Sequence, residues 1–192
     1  MNKTSYIEER KFKNIDFSTS QLIKADYENC EFINCSFANL DLSSISFIDC
    51  EFENCDISMT KLIDTSFNNV HFKSCKLLGL YFNDCNKFFL SLNFDNCILN
   101  LSSFYKIEIK KIKFNNCELH EVDFTETNLT SAIFKNCDLK DAIFENTILE
   151  KADFISAYNY SIDTNKNKIK KAKFSINGIV GLLDKFDIYI EK

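Results

Sequence analysis

Nine cysteines and two histidines are the residues of this 192-residue chain best equipped for chemistry. Thiolates and imidazoles bind metals, carry redox couples and serve as nucleophiles or bases. Six of the cysteines form a progression: Cys35, Cys55 and Cys75, then Cys97, Cys117 and Cys137. The steps are twenty residues, with one of twenty-two. No histidine or acid is interspersed as a tetrahedral zinc set would require. Stacked neighbours at such a step come within the Cα distance of a disulfide, but parallel side chains on one wall have poor dihedral geometry. An odd count, with no apolar leader between Met1 and Phe12, favours reduced thiols. The six are therefore expected to be buried structural thiols, with Cys85 alone accessible. His71 and His120 are expected to point outward on different faces, too far apart to converge with a nucleophile. A phosphate-cradling glycine loop is missing from the sequence. No catalytic residue, metal site or cofactor is expected.

The elements that place these residues follow an unusual period. Every fifth residue from Ile7 to Phe82 is large and apolar. The frame slips by two and then continues from Phe89 to Phe154. Seventeen of the twenty phenylalanines occupy these centres. Period five suits neither an α-helix nor a flat strand, but it suits a chain that turns a corner every five residues. Two positions before most centres the residue is small: Ala25, Cys30, Thr60, Thr127, Ala152. Each pentapeptide thus sends one large and one small side chain inward. Phe12, Phe32, Phe52 and Phe72 recur at twenty, as do Leu22, Leu42 and Leu62, so four pentapeptides close one square lap. The cysteine ladder survives the slip, which marks a two-residue bulge near 83–88 rather than a boundary. Asn34, Asn54, Asn96, Asn116 and Asn136, with Ser74, precede that ladder and mark a corner. Asn tolerates left-handed backbone, which makes up for only three glycines and no proline. About eight coils at roughly 4.8 Å give a rod of roughly 40 Å. The expected organisation is a coil over 1–174 and a cap over 175–192.

Outward positions carry the remaining signals. From Ala25 to Thr60 there are eight acids, Asp26, Glu28, Glu31, Asp41, Asp49, Glu51, Glu53 and Asp56, and no Lys or Arg. Carboxylates at regular rises can imitate duplex phosphates, and they can equally be a solvated surface. The register scatters them over all four faces. Lysines cluster at 106, 110, 111 and 113 and again at 166, 168, 170, 171 and 173. Leu78, Tyr81, Phe88, Leu90, Ile98, Leu101 and Tyr105 form an outward apolar belt around the bulge, either an interaction surface or a cluster folded back on itself. The net charge of −5 argues against direct nucleic-acid binding. No apolar run is long enough for a membrane span. A soluble, cytoplasmic protein is expected.

The blocks AlaAspTyrGluAsn at 25–29, CysAspLeuLysAsp at 137–141 and AlaAspPheIleSer at 152–156 resemble the pentapeptide repeat family, over about Ile7 to Phe174. The resemblance implies an all-β fold, the right-handed quadrilateral parallel β-helix. CysGluPheIleAsn at 30–34 and CysGluPheGluAsn at 50–54 look like blocks of the quinolone-resistance (Qnr-type) and MfpA-type members. Those are dimeric rods that mimic DNA, bind DNA gyrase or topoisomerase IV, and catalyse nothing. The tail fits this resemblance. Ile179, Val180, Leu182, Leu183 and Phe186 make one helical stripe, and Ile188 and Ile190 share a face of a short strand. They are expected to cap the coil and form a homodimer interface with a second copy. The chain departs from those members in lacking long loops; its one mid-rod irregularity is the bulge at Cys85-Asn86-Lys87.

Overall fold

The computed structural model describes Ser5–Glu191. Residues 1–4 and 192 of the two expected segments, and the side chain of Phe89, lie outside what it describes. The chain winds as a right-handed parallel β-solenoid of about eight turns. One wall, B, is a nine-stranded parallel sheet from Lys11–Lys13 to Lys173–Phe174. The adjoining wall, A, is a four-stranded parallel sheet from Ser5–Glu8 to Ser66–Asn68. Walls C and D are held by isolated parallel bridges, such as Asp56 with Lys76 on C and Tyr81 with Ser103 on D.

The pentapeptide period has a direct cause. A corner comes two residues after most centres, where the backbone turns into the left-handed region: φ is 50° at Asn29, 52° at Asn34, 53° at Asn54 and 53° at Asn136. Asparagine reaches that region cheaply because its short amide bonds locally. The corner amides also bond between coils, with Asn34 Nδ2 donating to Asn14 Oδ1 at 3.0 Å and Asn136 Nδ2 to Asn116 Oδ1 at 3.0 Å.

Large inward side chains stack in columns. Phe52, Phe72 and Phe94 lie in successive layers with ring centroids 5.0 and 5.4 Å apart, and Phe114, Phe134 and Phe154 continue the column at 5.3, 5.2 and 4.6 Å. A second column, Phe82, Phe104, Phe124 and Phe144, meets the first edge to face. Offset stacking within a column and edge contacts between columns are the two arrangements aromatic quadrupoles favour.

The small inward slot has its own logic. Its occupant points at a carbonyl of the preceding coil. Thr127 Oγ1 donates to Phe104 O at 2.6 Å, Thr147 Oγ1 to Phe124 O at 2.8 Å, and Ser102 Oγ to Leu77 O at 2.8 Å. The cysteine thiols face equivalent carbonyls, with Cys55 Sγ at 3.2 Å from Phe32 O. Cysteine, threonine, serine and alanine are interchangeable fillers of one narrow space.

The insertion is confined to Asp84–Ser91. Asn86 N still donates to Thr65 O at the regular spacing of twenty-one residues, whereas Phe72 pairs with Phe94. Between these points a short 3₁₀ turn, Lys87–Phe89, is looped out on wall A, and Asn86 Oδ1 accepts the Phe88 N–H at 3.1 Å. Cys85 is not accessible as expected. It fills the small slot just before the loop and is 4% exposed.

The tail differs from the expected α-helix and strand. It forms 3₁₀ turns over Asn177–Leu182 and Asp184–Phe186, and Ile188–Glu191 pairs with no strand. Gly178 and Gly181 lie so close to Tyr160 that a Cβ on either would collide with it. Close docking over this ring fixes the tail's path. Among the described residues no helix is long and apolar enough to cross a membrane.

Candidate interaction surfaces

With the interior filled, the surfaces open to other molecules are the outward columns and the tail. The chemistry-bearing residues are dispersed by the same geometry. All nine cysteines are buried, and burial pushes the Cys50 thiol up to about 12 and raises those of Cys35 and Cys85. His71 stands on wall B, paired with Asp95. His120 stands on wall C, its Nδ1 3.3 Å from Glu118 and its Nε2 3.0 Å from Asp138. Among the described residues no group of three or more His, Cys, Asp or Glu is placed to hold a metal ion.

The eight acids divide among the walls. Asp26 and Glu28 face outward on A, and Glu31, Glu51 and Glu53 on B. Asp41 lies on D and Asp56 on C. Asp49 has φ of 50° and holds the corner between A and B, where it accepts a bond from Asn69. Three are matched by cations from other coils: Glu31 with Lys11, Glu51 with Lys73 at 2.7 Å, and Asp41 with Lys61 at 3.7 Å. Asp41 and Asp56 also accept their own turn's N–H, from Ser43 at 2.9 Å and Ser58 at 3.0 Å. The bonds from Ser43 hold the Asp41 carboxyl below the usual range. Asp26, Glu28, Asp49, Glu53 and Asp56 take part in no ion pair among the described residues.

The expected apolar belt resolves into separate parts. Leu90 is not outward; it packs against the core. Phe88 is 92% exposed at the tip of the wall A bulge. Leu78 and Ile98 are half-buried, Ile98 bridging Lys76 on wall C. Tyr81, Leu101 and Tyr105 are exposed on or beside wall D. There they are joined by Met59 and Ile63, which sequence reasoning missed. The available signal for Met59 was its corner position, where, Gly79 and Leu101 aside, Asn, Asp, Ser or a charged residue stands.

At the far end of the rod, Ile179, Val180, Phe186, Ile188 and Ile190 are exposed and Leu182 and Leu183 half-buried. Between this tail and the last coils lies a cleft of about 680 Å³ lined by residues including Lys140, Tyr158, Asn159, Asn177 and Asp184.

Comparison with known proteins agrees with this geometry. The family model described as "pentapeptide repeat region" matches residues 25–88 and 81–154. No curated protein sequence matches the chain. Among solved structures, a trypsin-treated form of QnrB1, a plasmid-mediated fluoroquinolone resistance protein, is similar at a TM-score of 0.75 and 18% identity, covering 98% of this chain and 92% of that one. Full-length QnrB1 is similar at a TM-score of 0.57 and 16% identity, over 96% of this chain and 100% of that one. At such identities the likeness speaks for the fold.

Proposed function

Because this chain belongs to the pentapeptide repeat family, we propose that it is a non-enzymatic, cytoplasmic rod that works by binding protein. It pairs with a second copy through Ile179, Val180, Leu182, Leu183, Phe186, Ile188 and Ile190, and offers the acidic coils of residues 25–60 to the basic DNA-binding groove of a type II topoisomerase. The observation that carries the reading is linear charge density. Residues 25–60 wind through about two coils, roughly 10 Å of rod. Five acids in that span have no cation partner, about one per 2 Å, close to the one charge per about 1.7 Å of duplex DNA. Likeness of the backbone to QnrB1, a fluoroquinolone resistance protein, supports the same direction. The decisive experiment is a gyrase supercoiling assay with quinolone present and absent. Micromolar protein should protect or inhibit the enzyme, and unchanged supercoiling in both conditions would remove the topoisomerase from the proposal.

A second reading is favoured by the exposed apolar residues of wall D and the bulge: a scaffold that contacts partners there, with no topoisomerase role. Captured partners should then be lost with Tyr81→Ala and Phe88→Ala. An unchanged set would discard it.

A further inference from the structure

Wall D carries a feature that folding does not require. Met59, Gly79, Leu101 and Glu121 occupy one corner on successive coils, tied by bonds from Met59 N to Leu78 O, Gly79 N to Asn100 O and Leu101 N to His120 O, of 2.8 to 2.9 Å. Met59 and Leu101 hold φ of 55° and 61° while 62% and 59% exposed. Both choices run against local physics. A bulky apolar side chain that cannot bond to its own turn disfavours left-handed backbone, and its exposure forgoes burial. Gly79 sits between them, and a Cβ there would lie 2.6 Å from Met59 Sδ. The glycine lets Met59 lie across the corner, so the three coils present one low apolar ridge. Tyr81 at 57%, Ile63 at 43% and Tyr105 at 36% exposure extend it across the wall.

The rim is acidic. Asp64 and Asp84 stand at the opposite corner, and Glu121 and Asp123 on the next coil. None of the four is in an ion pair among the described residues; the two lysines of this wall are each matched, Lys61 by Asp41 and Lys106 by Glu126, and Lys87 stands on the adjoining wall A bulge. Self-association across a two-fold axis would set this rim against its own copy, like charge on like charge. The complementary surface is apolar with cationic flanks. The wall is about five residues across, roughly 16 Å, and the coils repeat at about 4.8 Å. An α-helix is about 10–12 Å wide with a 5.4 Å pitch, so one lying along the rod sets successive turns of apolar residues near successive coils.

We propose that the patch of Met59, Ile63, Tyr81, Leu101 and Tyr105 docks a basic amphipathic helix of a partner protein, its apolar stripe on the ridge and its Lys or Arg flanks on the acidic rim. This rests on the second reading above and names the partner's chemistry. The test uses the full chain and three labelled 18-residue peptides: an amphipathic helix of Leu and Lys, the same composition scrambled, and a Leu–Glu counterpart. Fluorescence anisotropy should show binding of the Leu–Lys helix alone. Affinity should fall at least 10-fold for the Tyr81→Ser/Leu101→Asn protein, in which Asn suits the corner and keeps the fold. For Asp84→Asn/Glu121→Gln it should fall about 3-fold, with a flatter salt dependence. Equal binding of the scrambled peptide, or undiminished binding to Tyr81→Ser/Leu101→Asn, would overturn the proposal. So would a particle mass that drops in that variant, because the occupant would then be a second copy. If partners are lost with Tyr81→Ala but the peptide fails to bind, only the helix assignment falls; if the captured set is unchanged, the underlying reading falls with it.

Discussion

Walls A and B meet the same two-residue insertion and respond differently. On wall B the ladder runs straight through: Val70 to Lys73 pair with Leu92 to Asp95, and the Phe72 and Phe94 rings stay 5.4 Å apart. On wall A the sheet ends at Ser66–Asn68, and the next coil substitutes a 3₁₀ turn with Phe88 in solvent. Regular pairing partly returns there with the Glu108–Asn128 and Asn128–Ile148 bridges. The contrast shows that inward columns, rather than counted residues, set the register. Extra chain is pushed out at one wall so that the aromatic stack stays closed, because a gap in that stack forfeits dispersion and burial together.

Several substitutions would break or sharpen the contrast. The largest effect belongs to Phe94→Ala, which opens the column where wall B crosses the insertion, between Phe72 and Phe114. A loss of about 3–5 kcal/mol is expected in urea unfolding. Phe88→Ala on the exposed bulge should stay within about 0.5 kcal/mol. Comparable losses at the two sites would mean that the bulge is part of the core. Deletion of Lys87 and Phe88 comes next. It should restore the twenty-residue lap, keep the β-type circular dichroism spectrum and shift the midpoint less than Phe94→Ala does; an unfolded product would show the loop to be needed for closure.

Leu101→Asn should raise stability by about 0.5–1 kcal/mol, since Asn relieves a left-handed corner that leucine strains. A lower melting temperature would show that the apolar ridge helps hold the fold. The smallest effect concerns acid. Bonds from Ser43 depress the folded carboxyl pKa of Asp41, so its contribution is present above the unfolded value of about 3.9 and is lost as pH falls through the lower folded value. Asp41→Asn, which keeps the acceptor without the charge, should slightly flatten the loss of stability below about pH 4 in an acid melt series. An unaltered profile would remove Asp41 from that loss.

The coil was legible because its interior repeats, and repetition survives in sequence: Phe32, Phe52 and Phe72 announce one column at a glance. What escaped was set where repetition stops. Cys85 was expected at the surface because it borders the insertion, yet it fills the same small slot as its homologous cysteines, and the loop starts only after it. The apolar stripe of the tail reads as an α-helix. Its spacings of three, Ile176–Ile179–Leu182 and Val180–Leu183–Phe186, suit a 3₁₀ helix, in which i and i+3 eclipse. Docking of Gly178 and Gly181 on Tyr160 depends on contact across the last coil, which no local pattern records. The surface readings were only partly legible. Leu90 and Phe88 are chain neighbours placed outward by the period, but the insertion turned one inward and left the other in water.

The carbonyl-facing small slots carry a consequence for growth of the molecule. Each is satisfied within its own coil and the preceding one, so a complete turn can be added or removed without disturbing any distant partner. Length in such a chain is quantised: viable variants differ by whole laps, a gauge in steps of about 4.8 Å. Tension applied along the axis should peel it one turn at a time, as a spool unwinds, instead of snapping it as a unit.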